Sequence, residues 1–77
     1  MTALIDHIKR QLRSTFPQAQ EIDVRVKRDH EHYVSNIHVH VPGKVMHAEK
    51  KASNPWLAVE AAHGAITRQV QRWKERR

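Results

Sequence analysis

The residues most able to do chemistry in this sequence are cations that recur at helical spacing near the carboxyl end. Arg68, Arg72 and Arg76 lie four residues apart, with Lys74 and Arg77 beside them. One or two cations would be enough to complement the dipole of a helix C-terminus, so four or five favour contacts with phosphate groups of RNA or DNA. Charge placement adds further candidates for the same role: Lys9, Arg10, Arg13, Lys50 and Lys51.

Histidines form the second group with chemical potential. His38 and His40 lie two residues apart on one predicted strand, so their rings share a face, and His47 comes from the neighbouring strand. These three are weak candidates for a transition-metal site, because no carboxylate or cysteine completes a defined ligand set. We interpret them as polar residues on a solvated sheet face that add positive charge near pH 6, and we predict no metal site. His63 lies beside an apolar helical stripe and is expected to be partly buried and structural.

The sequence offers little support for catalysis or for a cofactor. It contains no cysteine, which excludes disulfides, thiol catalysis and cysteine-ligated zinc. No serine lies in a recognisable nucleophile motif, and two glycines cannot build a glycine-rich phosphate loop. We therefore expect no enzyme activity and no cofactor. Trp56 and Trp73 both fall near apolar stripes, so we expect them to pack in the core rather than to stack on nucleobases.

Length and charge narrow the class of protein. The 77 residues make one small domain spanning 1–77, which is too small to enclose a large cofactor. Fourteen lysines and arginines against eight acids give a net charge of +6, and the isoelectric point is near 10.3. This balance favours a polyanionic partner, most often nucleic acid. No apolar run approaches the roughly 18 residues of a membrane span and no signal peptide opens the chain, so we expect a soluble cytoplasmic protein.

The hydrophobic pattern predicts five elements that would position these groups. Apolar residues at three- and four-residue spacing predict helices over 3–15 and 55–75, and strict alternation predicts strands over 21–28, 34–41 and 44–51. Short connections join the strands into an antiparallel meander. Both helices should cover one face, which gives a two-layer α+β sandwich in the order α-β-β-β-α. The residues expected on that face are Ile22, Val24, Val26, Ile37, Val39, Val41, Met46 and Ala48.

Several stretches, in this order and spacing, carry a resemblance to a known family. They are Val39-His40-Val41 with Pro42-Gly43, then Met46-His47-Ala48, the helix start at 54–60 and the basic helix at 66–74. Through these stretches the sequence resembles the ribosome hibernation-promoting factors and ribosome-associated inhibitors, which are also known as sigma-54 modulation or S30EA-like proteins. The resemblance extends over nearly the whole chain, from about residue 4 to residue 77.

The resemblance implies a fold like that of double-stranded-RNA-binding domains. It also implies docking on the small ribosomal subunit, in the channel used by mRNA and tRNA. Members of the family that bind there block translation in stationary or starved cells. Contacts with ribosomal RNA are implied for the basic positions that match those of the family: Lys27, Arg68, Arg72, Lys74 and Arg76.

One departure from the family concerns its first strand. Family members have a strand before the first helix, which pairs beside the strand corresponding to residues 21–28, whereas this sequence starts at the helix. The strand at 21–28 is therefore expected to be an open edge, where a second copy could pair and form a homodimer. The dimerisation domain of the longer family members is also expected to be absent.

Two alternatives stay open at this point. The protein could be a general double-stranded RNA- or DNA-binding module that is not tied to the ribosome. It could also be a metal-binding or self-associating protein that uses the histidine face or the open edge strand. Each alternative assigns binding to a different surface, so the positions of the cations, the histidines and the strand edges distinguish them.

Overall fold

The computed structural model describes residues 1–75, and its five elements follow the expected order. They are α1 (Thr2–Thr15), β1 (Glu21–Asp29), β2 (His32–Val41), β3 (Lys44–Ala52) and α2 (Pro55–Glu75). The strands form one antiparallel sheet in the order β1-β2-β3. The α-β-β-β-α arrangement confirms the predicted α+β class, and no predicted boundary is wrong by more than two residues.

Tight turns join the three strands, and each turn places one residue at positive φ. His30 has φ 57° in the β1–β2 turn, and Gly43 has φ 80° in the β2–β3 turn. Glycine adopts this conformation at no steric cost, whereas histidine is one of the few other residues found there. In the first turn, Arg28 Nε donates a hydrogen bond to the His30 carbonyl at 3.0 Å. Through these turns, β1 pairs antiparallel with β2 and β2 pairs antiparallel with β3.

The apolar face of the sheet packs against both helices. Two cross-strand rows lie at its centre, Val24–Ile37–Ala48 and Ile22–Val39–Met46. Every residue in both rows is buried, as is Val41, whereas Val26 is half-buried. The predicted inward face is thus confirmed. The helical side of the same core consists of Ile8, Leu12, Phe16, Val59, Ala62, Ile66 and Val70.

The last helix, α2, is capped at its start and fastened to the sheet farther along. The Leu57 N–H donates to Asn54 Oδ1 at 2.9 Å, and Pro55 occupies the first helical position, where a missing N–H costs nothing. Gln69 Nε2 donates to the His47 carbonyl at 2.7 Å. This bond joins α2 to β3 beside the buried stripe of the helix.

The two tryptophans have different environments. Trp73 is half-buried and packs against the core, as predicted. Trp56 is 55% exposed, so its predicted place in the core is wrong. The buried stripe of α2 begins with Ala58 and Val59, and Trp56 lies in the turn before it. Leu57 beside it is also exposed, so the start of α2 carries two large apolar side chains outside the core.

Candidate nucleic-acid interface

Three exposed cations gather where α2 meets β3. Lys44 and Arg72 line one shallow groove together with Gln69 and Trp73, and Arg68 is exposed one helical turn before Arg72. We call Lys44, Arg68 and Arg72 the basic flank. Within residues 1–75, none of the three takes part in an ion pair. Their charges are therefore available to an anionic partner.

Local structure explains how the basic flank forms. Gln69 bonds to β3, and Arg72 follows it by three residues, so both lie on the same side of the helix. Arg68 extends back along the helix over Gly64, because a Cβ atom at Gly64 would lie 3.6 Å from Arg68 Nη1. Lys44 opens β3 two residues before the buried Met46, which places it on the helix-covered side of the sheet.

Lys44 is a cation that the sequence interpretation missed. Its strand position gave a usable signal, since it shares the inward parity of Met46 and Ala48 at the end of a strand. What the pattern alone did not show is that the α2 turn carrying Arg72 passes beside this strand end. The contact depends on how far along β3 the helix lies.

Lys74 has partners inside the protein. Its Nζ donates to the Thr15 carbonyl at 3.2 Å and lies 4.8 Å from the centroid of the Phe16 ring. The ammonium group therefore satisfies a carbonyl at the end of α1 and makes a cation–π contact next to it. This gives Lys74 a structural role that joins the two helices. Arg76, also predicted to contact RNA, lies outside the described residues.

The α1 cations do not continue the basic flank. Gln11 lines the groove between the helices with His63 and Thr67 of α2. Lys9 and Arg13 are each two residues from Gln11, which places them about 160° away around the helix and directs them away from α2. Arg10 is exposed, and none of these three cations is in an ion pair among the described residues. The two helices therefore present separate basic surfaces.

The lysines of the sheet lie on different faces. Lys27 and Lys51 flank Val34 in one cross-strand row on the face opposite the helices. Val34 is only 6% exposed although no helix covers this face. Lys51 Nζ lies 3.5 Å from Asp29 Oδ2. Lys50 has the opposite strand parity and lies on the helix side of the sheet.

The histidines of β2 and β3 lie together on the open face of the sheet. His38 and His47 are direct cross-strand partners, and their rings stack with centroids 4.4 Å apart. His40 Nε2 lies 3.9 Å from Glu21 Oε2. Within residues 1–75, no group of three histidine, cysteine or acidic residues is arranged to hold a metal ion. These contacts give no support to the metal-binding alternative.

His63 lies between the helices, in the groove that Gln11 lines. Burial lowers the pKa of His63 below its usual value of 6.5, and the nearby His7 lowers this pKa further, while Glu60 opposes both effects. The neutral imidazole is therefore favoured in the folded protein. This agrees with the structural, partly buried role that its position beside the apolar stripe predicted.

Fold and charge define a small basic α+β domain whose cations are exposed along its last helix and the adjoining strand. The chain matches the protein family described as sigma 54 modulation protein / S30EA ribosomal protein over residues 1–77, and it belongs to this family. The family is a ribosome-associated one, which confirms the resemblance seen in the sequence. No curated protein sequence matched the chain. Among residues 1–75, no helix is both long and apolar enough to cross a membrane.

Proposed function

We propose that this protein binds the small ribosomal subunit through phosphates of ribosomal RNA and blocks translation by occupying the channel for mRNA and tRNA. It acts by steric occlusion, without catalysis or a cofactor, in the cytoplasm of stationary or stressed cells. Membership of the S30EA ribosomal protein family supports association with the ribosome. The net charge of +6 supports RNA as the component it contacts.

The observation that carries the proposal is the basic flank. Lys44, Arg68 and Arg72 come from two elements that pack on one core and are also joined by the Gln69–His47 hydrogen bond, so the fold sets their backbone positions before any partner arrives. Cations on rigid elements lose less entropy on binding than cations on a mobile tail. Folded RNA is recognised mainly by its shape and its backbone, which suits a rigid array of cations.

Charge reversal on each helix tests this assignment. The variant Arg68→Glu/Arg72→Glu is expected to lose co-sedimentation with purified small subunits at moderate salt and to lose inhibition of cell-free translation. The matched control is Arg10→Glu/Arg13→Glu, which changes the net charge equally but on exposed positions of α1, outside the basic flank. Unchanged subunit binding by the α2 variant would remove the basis for the site.

The alternative interpretation of the basic flank is that the protein is a general duplex-binding module. It predicts similar affinity for free double-stranded RNA or DNA and for small subunits, because duplex phosphates alone would satisfy the basic flank. The ribosome-binding proposal predicts that small subunits compete effectively against an excess of free duplex. A competition experiment with labelled subunits separates the two.

Self-association through β1 is a second candidate, supported by the charge pattern of that strand. In the described chain, β1 pairs only with β2 and leaves its other edge unpaired. Antiparallel pairing of two copies about Val24 would set Glu21 opposite Lys27 and Asp23 opposite Arg25. The opposing cost is that α1 packs over β1, so two α1 helices would meet above the junction. Sedimentation velocity at rising protein concentration tests this pairing, and a monomer throughout would exclude it.

A further inference from the structure

The face of the sheet opposite the helices holds an open depression of about 700 Å³. Its lining comes mainly from the outward residues of β1 and β2, and includes Asp23, Arg25, Lys27, Asn36, His38 and His40. This volume lies within the range of small-ligand sites in proteins. The depression is separate from the basic flank, which lies at the junction of α2 and β3.

A stacked pair of imidazole rings borders this depression. The rings of His38 and His47 are 4.4 Å apart at their centroids and 14° from parallel. His47 lies on the β3 side of His38, whereas the depression lies on the β1 side. On that side the direct cross-strand partner of His38 is Asp23, whose carboxylate is held by Arg25. A planar heterocycle in the depression would continue the stack on the His38 ring beside this carboxylate. Stacking on an aromatic side chain accepts any nucleobase, because every base has a π-face.

One hydrogen bond orients the His47 ring of this stack and leaves donors beside it. His47 Nε2 donates to Asn36 Oδ1 at 2.8 Å, which orients both side chains. The Asn36 amide retains its two N–H donors, since its oxygen is the atom that is used. These donors lie at the depression and suit the carbonyl oxygens and ring nitrogens of a base edge.

Cations at the rim supply a place for a phosphate. Arg25 is 78% exposed in its side chain, and its Nε is held by Asp23 Oδ2 at 2.9 Å. This bond uses one of the five guanidinium N–H groups and leaves the others for a ligand. Lys27 lies one cross-strand row farther along the same face. The sheet face therefore offers a ring for the base, amide donors for the base edge and cations for the backbone phosphate of one nucleotide.

We propose that the open sheet face binds single-stranded RNA, with one base stacked on His38 and its backbone phosphate near Arg25 and Lys27. This activity goes beyond the small-subunit contact made by the basic flank. It uses the opposite face of the sheet, and its ligand is single-stranded RNA rather than folded RNA. The proposed ligand is free single-stranded RNA, which this face binds independently of the small subunit.

The test measures binding of a fluorescently labelled single-stranded RNA hexamer at pH 7.5. His38→Ala is expected to weaken binding about fivefold, at the low end of the effect of removing an aromatic base-stacking partner. His38→Phe keeps a planar ring and is expected to bind at least as tightly as the wild type. His32→Ala, on the same face but at its far end, is the matched control and is expected to bind like the wild type.

Specific outcomes overturn the proposal. Equal loss in His38→Ala and His38→Phe would show that stacking is not the interaction, and absence of hexamer binding in the wild type would exclude the site. Thermal unfolding of each variant excludes a general loss of structure, since His38 lies outside the core. Small-subunit binding of His38→Ala is expected to equal that of the wild type, so this proposal and the role of the basic flank fail independently.

Discussion

The salt dependence of subunit binding gives the most quantitative test of the basic flank. Each phosphate neutralised contributes about 0.7–0.9 to the slope of log affinity against log salt. If Lys44, Arg68 and Arg72 each contact one phosphate, together they supply a slope of about 2.1–2.7. Relative to 1 M salt, each contact then increases affinity at 0.1 M by about five- to eightfold, and all three by roughly 130- to 500-fold.

Single substitutions to glutamine measure these contributions one by one. Lys44→Gln, Arg68→Gln and Arg72→Gln are each expected to reduce the slope by about 0.7–0.9. Lys74→Gln should reduce it less, because Lys74 Nζ already bonds to the Thr15 carbonyl. The assay is fluorescence anisotropy of labelled protein with small subunits between 50 and 400 mM KCl. Slopes that are equal in all four variants and in the wild type would refute the assignment of phosphate contacts to this flank.

Three further predictions concern stability and are checked by urea unfolding. The lowered pKa of His63 means that the folded state binds fewer protons than the unfolded state, so stability should fall as pH drops below about 6.5 towards the lower folded pKa. His63→Gln should flatten this dependence between pH 7.5 and pH 5, and an unchanged pH profile would contradict the reasoning. Asn54→Ala removes the acceptor for the Leu57 N–H and should cost about 1 kcal/mol, whereas Asn54→Ser, which can still cap, should cost less. Ile37→Ala, at a fully buried position in the central strand, should cost about 2–5 kcal/mol, and a loss below 1 kcal/mol would mean that the core closes around the cavity.

Much of the fold could be predicted because its periodicities are local. Alternation over 21–28 and the helical stripe of Val59, Ile66 and Val70 each reflect which side of one element is buried. The wrong placement of Trp56 shows the limit of that reasoning. A residue beside an apolar stripe is buried only if it lies in the part of the helix that packs on the sheet. Where that part begins depends on how the helix is placed over the sheet.

The candidate sites required contacts between elements that are far apart in sequence. Lys44 and Arg72 share a groove because α2 lies along β3, and Lys74 is engaged because α1 ends beside it. The cations of the two helices were predicted to share the role of contacting phosphates, yet the rotation of α1 directs Lys9 and Arg13 away from α2. Similarly, the stack of His38 on His47 depends on the exact strand register.

The sequence by itself determined the class of the domain, its basic character and the residues that build its core, since residue type and spacing along one element carry that information. The tertiary structure decided which cations remain free, which one joins the helices and which face of the sheet stays open. Those outcomes depend on register, helix rotation and the packing of distant segments. Each is set by the fit of the whole core, which no single stretch of the chain encodes.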